Sequence, residues 1–233
     1  MSETRFRSGM LVFPNLTQLD LTGPYEVLAR LPDAGTLLLW KTLEPVRSEH
    51  GLTILPTATF SSCPTLDLVF VPGGPGINPL LEDAEVLAFL RSAAAEARYV
   101  VSVCTGSLVL GAAGLLRARR ATSHWMSRDL LRSFGAEPAA ERVVVDGKFF
   151  TGGGVTAGID VALTVAAEIA GKDTSEAIQL GIEYDPAPPF ASGSPERTNP
   201  AIVAAVRARA EPRQHDRAER AARVAAALER LAR

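Results

Sequence analysis

The feature that most constrains the fold is a regular alternation of short apolar runs with segments of helical spacing. Apolar runs of strand length occupy residues 9–13, 36–42, 51–57, 66–71, 99–103 and 121–124. Helices are predicted over 22–31, 82–97, from after Cys104 to about 116, over 128–134, and from within 151–160 to about 170. An Asp-Gly turn between apolar flanks predicts a hairpin over 143–150. Strands that alternate with helices form parallel sheets, so we expect an α/β fold with a mostly parallel central sheet covered by helices on both faces.

The chain is long enough for one large domain followed by a helical tail. It has 233 residues, of which 47% are hydrophobic, and this supplies ample apolar material for a core. We predict a single α/β domain over 1–199 and a C-terminal helical tail over 200–233. From residue 201 onward the tail has eight arginines against four acidic residues, and its apolar residues recur at helical spacing. This pattern predicts an amphipathic helix that packs on the domain or on a partner subunit.

Composition narrows the possible functions. The formal net charge of −2 gives no global field for binding nucleic acid or a membrane surface. No apolar run has the length of a membrane span, and the N-terminus lacks the apolar region of a signal peptide. The two cysteines form neither a disulfide framework nor a metal-ligand pattern, and the glycine run at 152–154 lacks the spacing of a dinucleotide-binding motif. We therefore expect a cytoplasmic protein that uses no metal or organic cofactor.

Polar or glycine-rich breaks follow five of the predicted strands. They are Asp20, the turn at 73–74, Cys104, His124 and the turn at 151–154. Ligands of open α/β sheets bind at the carboxyl ends of the strands. The five breaks therefore predict one site at one edge of the sheet, with Asp20 just before the first helix.

Cys104 is the candidate nucleophile. It stands between an apolar strand and an apolar helix, where unpaired helix N–H groups favour an anion, so we expect the pKa of its thiol to be lowered. The small residues at 105–107 leave room for a substrate. The alternative is a buried cysteine that only fills space in the core. Cys63 lies in a turn without such neighbours, and we assign it no role.

Asp20 is the candidate partner of Cys104. Two acidic groups in one small site cannot both ionise readily, so a protonated Asp20 would serve as a general acid beside a thiolate. The alternative is that Asp20 only stabilises the start of its helix. His124 ends a predicted strand near the site, but the sequence favours a structural role for it in hydrogen-bonded packing, so a Cys-His-Asp triad has little support.

Several segments together resemble the ThiJ/PfpI superfamily. They are QLDLTGP at 18–24, PGG at 72–74, SVCTGS at 102–107, ATSHW at 121–125 and TGGGVTAGID at 151–160. The likeness extends from about residue 6 to the YDPAPPF segment at 184–190, and within the superfamily it is strongest to the isocyanide-hydrating branch. The more specific features are the Asp at position 20, the Cys-Thr pair at the strand–helix turn and the proline-rich segment.

This resemblance implies a fold and a set of roles. The fold is a flavodoxin-like three-layer sandwich of the class I glutamine amidotransferase type, assembled as a homodimer. Cys104 would be the nucleophile, Asp20 the general acid and base, and Thr105 an assisting polar group. Gly74 and Val155, in the two glycine-rich turns, would bind the substrate or an oxyanion.

The resemblance also implies a reaction. A small isocyanide and water would give an N-substituted formamide through a thioimidate on Cys104, without a metal or cofactor. Two other classes of function remain open at this point. One is a redox sensor that responds through oxidation of Cys104, and the other is a ligand-binding module related to transcription regulators, in which Cys104 does not react.

Overall fold

A seven-stranded sheet forms the centre of the computed structural model, which describes residues 6–231. The strands are β1 (Phe6–Leu11), β2 (Ala34–Trp40), β3 (Val46–Arg47), β4 (Thr53–Ile54), β5 (Ala58–Thr59), β6 (Leu68–Val71), β7 (Tyr99–Val103), β8 (Arg120–Ala121), β9 (Glu137–Pro138), β10 (Val143–Asp146) and β11 (Phe149–Gly152). The central sheet has the order β10-β11-β7-β6-β1-β2-β5, in which only β10 runs antiparallel to its neighbour. β3 and β4 form a separate hairpin.

Helices cover both faces of this sheet. They are α1 (Gln18–Leu28), α2 (Ile77–Leu80), α3 (Ala84–Glu96), α4 (Gly106–Ala112), α5 (Ala157–Ala170), α6 (Lys172–Gly181) and α7 (Pro200–Leu231), with 3-10 turns at Arg128–Phe134 and Pro195–Arg197. α1 and α5 pack against each other as one pair. α3 and α4 form a second pair, in which α3 contacts β6 and α4 contacts both β6 and β7. The predicted three-layer α/β class is confirmed.

The strand order explains why a site forms at one edge. β1 pairs with β2 on one side and with β6 on the other, so the chain reverses its direction of travel across the sheet at β1. In doubly wound sheets a crevice opens at such a switch point, outside the carboxyl ends of the strands. β6 and β7 end beside this crevice, and their residues are wholly buried from Leu68 to Val71 and from Val100 to Val103.

Two sequence predictions near the N-terminus are wrong in their boundaries. The first strand covers Phe6–Leu11 instead of 9–13, because its pairing with β2 begins at Phe6. The first helix begins at Gln18 instead of following a cap at Thr22. Asp20 therefore lies inside the first helical turn and not before it. Pro24 is tolerated in this helix because its missing N–H leaves only one carbonyl, that of Asp20, without its helical donor.

Two predictions after Cys104 also need correction. The helix ends at Ala112 instead of near 116, because the chain turns through Gly114, whose φ is +79°. The predicted strand over 121–124 is reduced to Arg120–Ala121, which pairs with β9 in a small sheet outside the central one. His124 therefore does not follow a strand of the central sheet, and it reaches the edge of that sheet from the loop after β8.

The long helix α7 packs against the loop after β6 and the 3-10 turn after β8. Asn78 Nδ2 donates to the Arg213 carbonyl at 3.2 Å and to Asp216 Oδ2 at 2.7 Å. Arg220 and Arg223 form salt bridges of 2.7 Å with Glu82. Within residues 6–231 no helix has both the length and the apolar character to cross a membrane.

Candidate active site

Cys104 occupies a sharp turn between β7 and α4. Its φ is +55°, a conformation that a side-chain-bearing residue adopts only when the surrounding structure enforces it. The Cys104 N–H donates to the carbonyls of Gly153 at 2.7 Å and Gly152 at 3.1 Å, which pins the turn to the end of β11. The side chain is 5% exposed. A strained turn of this kind is typical of a nucleophile held at the end of a sheet.

Glycines allow the backbone segments around the turn to approach closely. A β-carbon at Gly106 would lie 2.1 Å from the Val71 carbonyl oxygen. A β-carbon at Gly73 would lie 2.5 Å from the Thr105 nitrogen and 2.8 Å from Asp20 Oδ2. All three distances are shorter than any van der Waals contact, so these glycines allow β6, α1 and the cysteine turn to come together.

We expect Gly106→Ala to destabilise the protein by about 3 kcal/mol, because the added methyl meets a backbone carbonyl that cannot move away without shifting β6. Gly181→Ala is the matched control, because a β-carbon there meets nothing within 4 Å at the end of α6. That control should change the free energy of unfolding by no more than about 1 kcal/mol, in the stabilising direction. Urea unfolding measures both, and equal effects would contradict the close approach at Gly106.

Asp20 reaches this turn from the first turn of α1. It is fully buried, and its Oδ2 accepts a hydrogen bond of 2.9 Å from the Gly73 N–H. Its Oδ1 is buried and has no hydrogen-bond partner within residues 6–231. Burial of the carboxyl raises the pKa of Asp20 to about 7, against the lowering effect of the Gly73 N–H. Asp20 therefore changes its protonation state near neutral pH.

The Asp20 and Cys104 side chains interact directly, although their contact lacks the geometry of a well-formed hydrogen bond. Burial and the neighbouring Asp20 charge raise the pKa of the Cys104 thiol, while N–H groups of Val155 and Thr105 act in the opposite direction. The expectation of a lowered thiol pKa is therefore wrong, because these amides do not outweigh burial beside a carboxylate. The pair holds its last proton well above neutral pH.

Thr105 ties the glycine turn after β6 to the cysteine turn. Its Oγ1 accepts a hydrogen bond of 3.0 Å from the Gly74 N–H and donates to the Gly74 carbonyl at 3.3 Å. The Gly74 N–H is therefore occupied by Thr105. The Val155 N–H, at the turn before α5, is directed at the Cys104 sulfur.

A pocket of about 130 Å³ leads to Cys104. This volume is close to that of a cavity of about 150 Å³ that holds one benzene molecule. Its lining residues are Thr17, Glu49, Gly74, Pro75, Cys104, Thr105, His124, Met126, Val155, Arg213, Gln214 and Arg217. The pocket thus has room for a small molecule, and five sequence-predicted residues line it: Gly74, Cys104, Thr105, His124 and Val155.

His124 lines the pocket as a neutral side chain. Burial, together with the charges of Arg217 and Arg213, lowers the pKa of His124 to about 4. Its Nδ1 accepts a hydrogen bond of 3.3 Å from the Met126 N–H. The other two histidines, at 50 and 215, have side chains that are 86% and 75% exposed and lie outside this pocket.

Sequence reasoning missed the pocket residues supplied by α7. Arg213, Gln214 and Arg217 all line the pocket, and Arg217 is only 3% exposed. A signal was present in the sequence, because Arg217 falls at helical spacing between Ala210 and Ala221, which are both buried. An arginine within a buried stripe of small residues indicates a charge with a specific role.

The fold and site define an α/β sandwich with a buried cysteine at the turn from a strand of the central sheet to a helix. The sequence pattern of the DJ-1/PfpI family matches residues 8–168, which contain both Asp20 and Cys104. The chain belongs to the DJ-1/PfpI family, and the resemblance found in the sequence is confirmed.

Individual relatives place the chain more closely. An isonitrile hydratase from Pseudomonas putida is 58% identical over 220 residues, which cover 94% of this chain and 96% of that protein. The crystal structure of a ThiJ/PfpI family protein from Pseudomonas syringae has 44% identity and a TM-score of 0.91 over 93% of this chain and 90% of its own. The transcriptional regulator GbdR of Pseudomonas aeruginosa is 32% identical over 76% of this chain but is matched over only 50% of its own length.

Proposed function

We propose that the protein is an isocyanide hydratase, which converts an isocyanide (isonitrile) and water into an N-substituted formamide. The observation that carries this proposal is the near-full-length match to an isonitrile hydratase at 58% identity. The geometry supports it, because a strained cysteine lines a pocket of small-molecule size, and a buried carboxyl with a raised pKa interacts with that cysteine from behind the pocket wall.

The first step joins sulfur to the isocyanide carbon. That carbon carries a lone pair and must gain a proton as the nucleophile attacks. Asp20 takes the proton of the Cys104 thiol and delivers it to the carbon, while the sulfur forms the new S–C bond. The product is a thioimidate in which the former isocyanide carbon bears one hydrogen. The reactive form of the Asp20–Cys104 pair carries one proton. That proton lies on the thiol while Asp20 is ionised, or on Asp20 once it has been taken from the thiol.

The second step adds water to the thioimidate. Asp20, again a carboxylate, removes a proton from water as the oxygen attacks the carbon. Asp20 passes this proton to the nitrogen. The C–S bond then breaks, and the proton of the new hydroxyl group passes to the sulfur as the carbonyl forms, so the formamide leaves and Cys104 recovers its thiol. The Val155 N–H directed at the sulfur stabilises the departing thiolate. Thr105 holds the turn at Gly74, whose backbone lines the substrate pocket.

A direct assay tests the proposal. We expect the purified protein to convert small alkyl and aryl isocyanides into their formamides, because the pocket of about 130 Å³ holds a group of that size. In deuterium oxide the formyl carbon should carry deuterium, since its hydrogen comes from the exchangeable proton of the Asp20–Cys104 pair. Chromatography and mass spectrometry of the product measure both. Failure to convert a panel of isocyanides with Cys104 reduced would overturn the proposal.

We also propose that the enzyme works as a homodimer in the cytoplasm, with residues 200–233 packed on the domain of residues 1–199. Both cysteines are free, as suits a reducing compartment. The contacts of α7 with Asn78 and Glu82 support the packing of the tail. Light scattering of the purified protein measures its assembly, and a monomeric mass would contradict the dimer.

A further inference from the structure

Arg217 on α7 carries a buried charge, and within residues 6–231 it forms no salt bridge. The residue is 3% exposed, and its guanidinium donates 2.8 Å hydrogen bonds to Asn78 Oδ1 and Ser127 Oγ, both of which are neutral. No carboxylate among residues 6–231 forms a salt bridge with it. The adjacent Asp216 directs its carboxylate to Asn78 and to Arg220 instead. A buried cation without a counter-ion is costly, so its retention calls for a functional reason.

The place where this charge acts is the cysteine pocket. Arg217 and Cys104 line the same pocket, and the two groups interact electrostatically. The other titratable groups at the pocket or in contact with Cys104 are Asp20 of α1, Glu49 of the β3–β4 hairpin, His124 after β8 and Arg213 of α7. His124 is neutral and Arg213 is exposed. Among these groups, Arg217 is therefore the buried cation that can stabilise a negative charge on the sulfur.

We infer that Arg217 stabilises the negative charge that develops on the Cys104 sulfur when the thiolate attacks and when it leaves. Asn78 and Ser127 fix the guanidinium without neutralising it, so its field remains available to the sulfur. The catalytic part of this inference rests on the proposed hydration. Its electrostatic part concerns only the reactivity of Cys104.

Helix α7 lies outside the family pattern, but the part of it up to Arg217 lies inside the match to the isonitrile hydratase. The family pattern ends at residue 168, before α7 begins. The match to the isonitrile hydratase covers 94% of this chain. The residues that it leaves out are fewer than the 16 residues that follow Arg217. That match therefore includes the position of Arg217, which the general family pattern does not.

Alkylation of Cys104 with two reagents of similar size tests the charge. Iodoacetate is an anion and iodoacetamide is neutral, and each forms an S–C bond with release of iodide as the thiol proton passes to solvent. In a Cys63→Ala background, we expect Arg217→Met to lower the ratio of the iodoacetate rate to the iodoacetamide rate by about tenfold. The pH of half-maximal alkylation should rise by about one unit. Arg217→Lys, which keeps the charge, should restore most of both effects.

Arg223→Met is the matched control, because Arg223 lies on the same helix, pairs with Glu82 and is exposed. It should leave both readings unchanged. An unchanged reagent ratio in folded Arg217→Met would overturn the inference. If that variant does not fold, the wild-type ratio is compared with that of free cysteine, and a ratio no higher than that of free cysteine would overturn it equally. Isocyanide turnover by the wild type is measured separately. If the wild type converts isocyanides but Arg217→Met leaves the reagent ratio unchanged, this inference alone is contradicted.

Discussion

Cys104→Ala is expected to abolish isocyanide hydration, with a fall in kcat of about a million-fold, the size seen when an attacking nucleophile is removed from an enzyme that forms a covalent intermediate. The hydroxyl of the neighbouring Thr105 cannot replace the sulfur, because Gly74 holds it on both its donor and its acceptor side. Acid-quenched wild-type protein should carry the mass of the isocyanide on the peptide that contains Cys104, and the variant should not.

Cys63→Ala is the control for this substitution. Cys63 is partly exposed, contacts the Pro64 carbonyl and lies outside the active-site pocket, so its loss should leave turnover unchanged. Alanine at 104 keeps the β-carbon and the backbone hydrogen bonds of the turn, so we expect the free energy of unfolding to change by no more than about 1 kcal/mol. Residual turnover above one per cent in well-folded Cys104→Ala would exclude the covalent mechanism.

The sequence predicted the central part of this site because its residues follow strands that share one edge. Cys104 comes directly after β7, which was predicted to the residue, and the turn at Gly74 follows β6, whose end at Val71 was predicted correctly. Asp20 was expected before its helix, yet it still reaches the site, because the first turn of α1 lies beside the same crevice. Local patterns were sufficient where the chemistry lies at strand ends.

The parts that local patterns could not predict depend on contacts between distant segments. Arg217 reaches the pocket only because α7 packs on Asn78, 139 residues earlier in the chain. The raised pKa of the Cys104 thiol likewise follows from tertiary burial beside Asp20, which the helix-terminus argument did not include. Helix α7 was expected from its spacing, but which of its residues face the pocket was not apparent.

Asp20→Asn is expected to lower kcat by about a thousandfold, within the range for loss of a general acid and base. Asparagine keeps the shape of the side chain and an oxygen to accept the Gly73 N–H, so the fold should be retained. In the wild type, kcat/KM should rise as the pH increases through about 7, because the pair then loses its first proton and Asp20 can receive that of the thiol. The variant should lack this rise. A wild-type profile that is flat between pH 5 and about 9 would contradict the role of Asp20.

The same substitution should make the protein more stable at high pH, because the buried carboxylate is costly when charged. The pKa of Asp20 is about 7 in the folded protein, above the 3.8 of an exposed carboxyl, so the folded state binds the proton more tightly. The contribution of Asp20 to the free energy of unfolding is fully present below pH 3.8, and it is lost as the pH rises through about 7. We compare the free energy of unfolding of Asp20→Asn with that of the wild type. The difference, variant minus wild type, should increase by roughly a few kcal/mol from pH 4 to pH 8. Urea unfolding across this range measures the difference, and a difference that falls with pH would show that Asp20 is stabilised as the anion and cannot act as the acid.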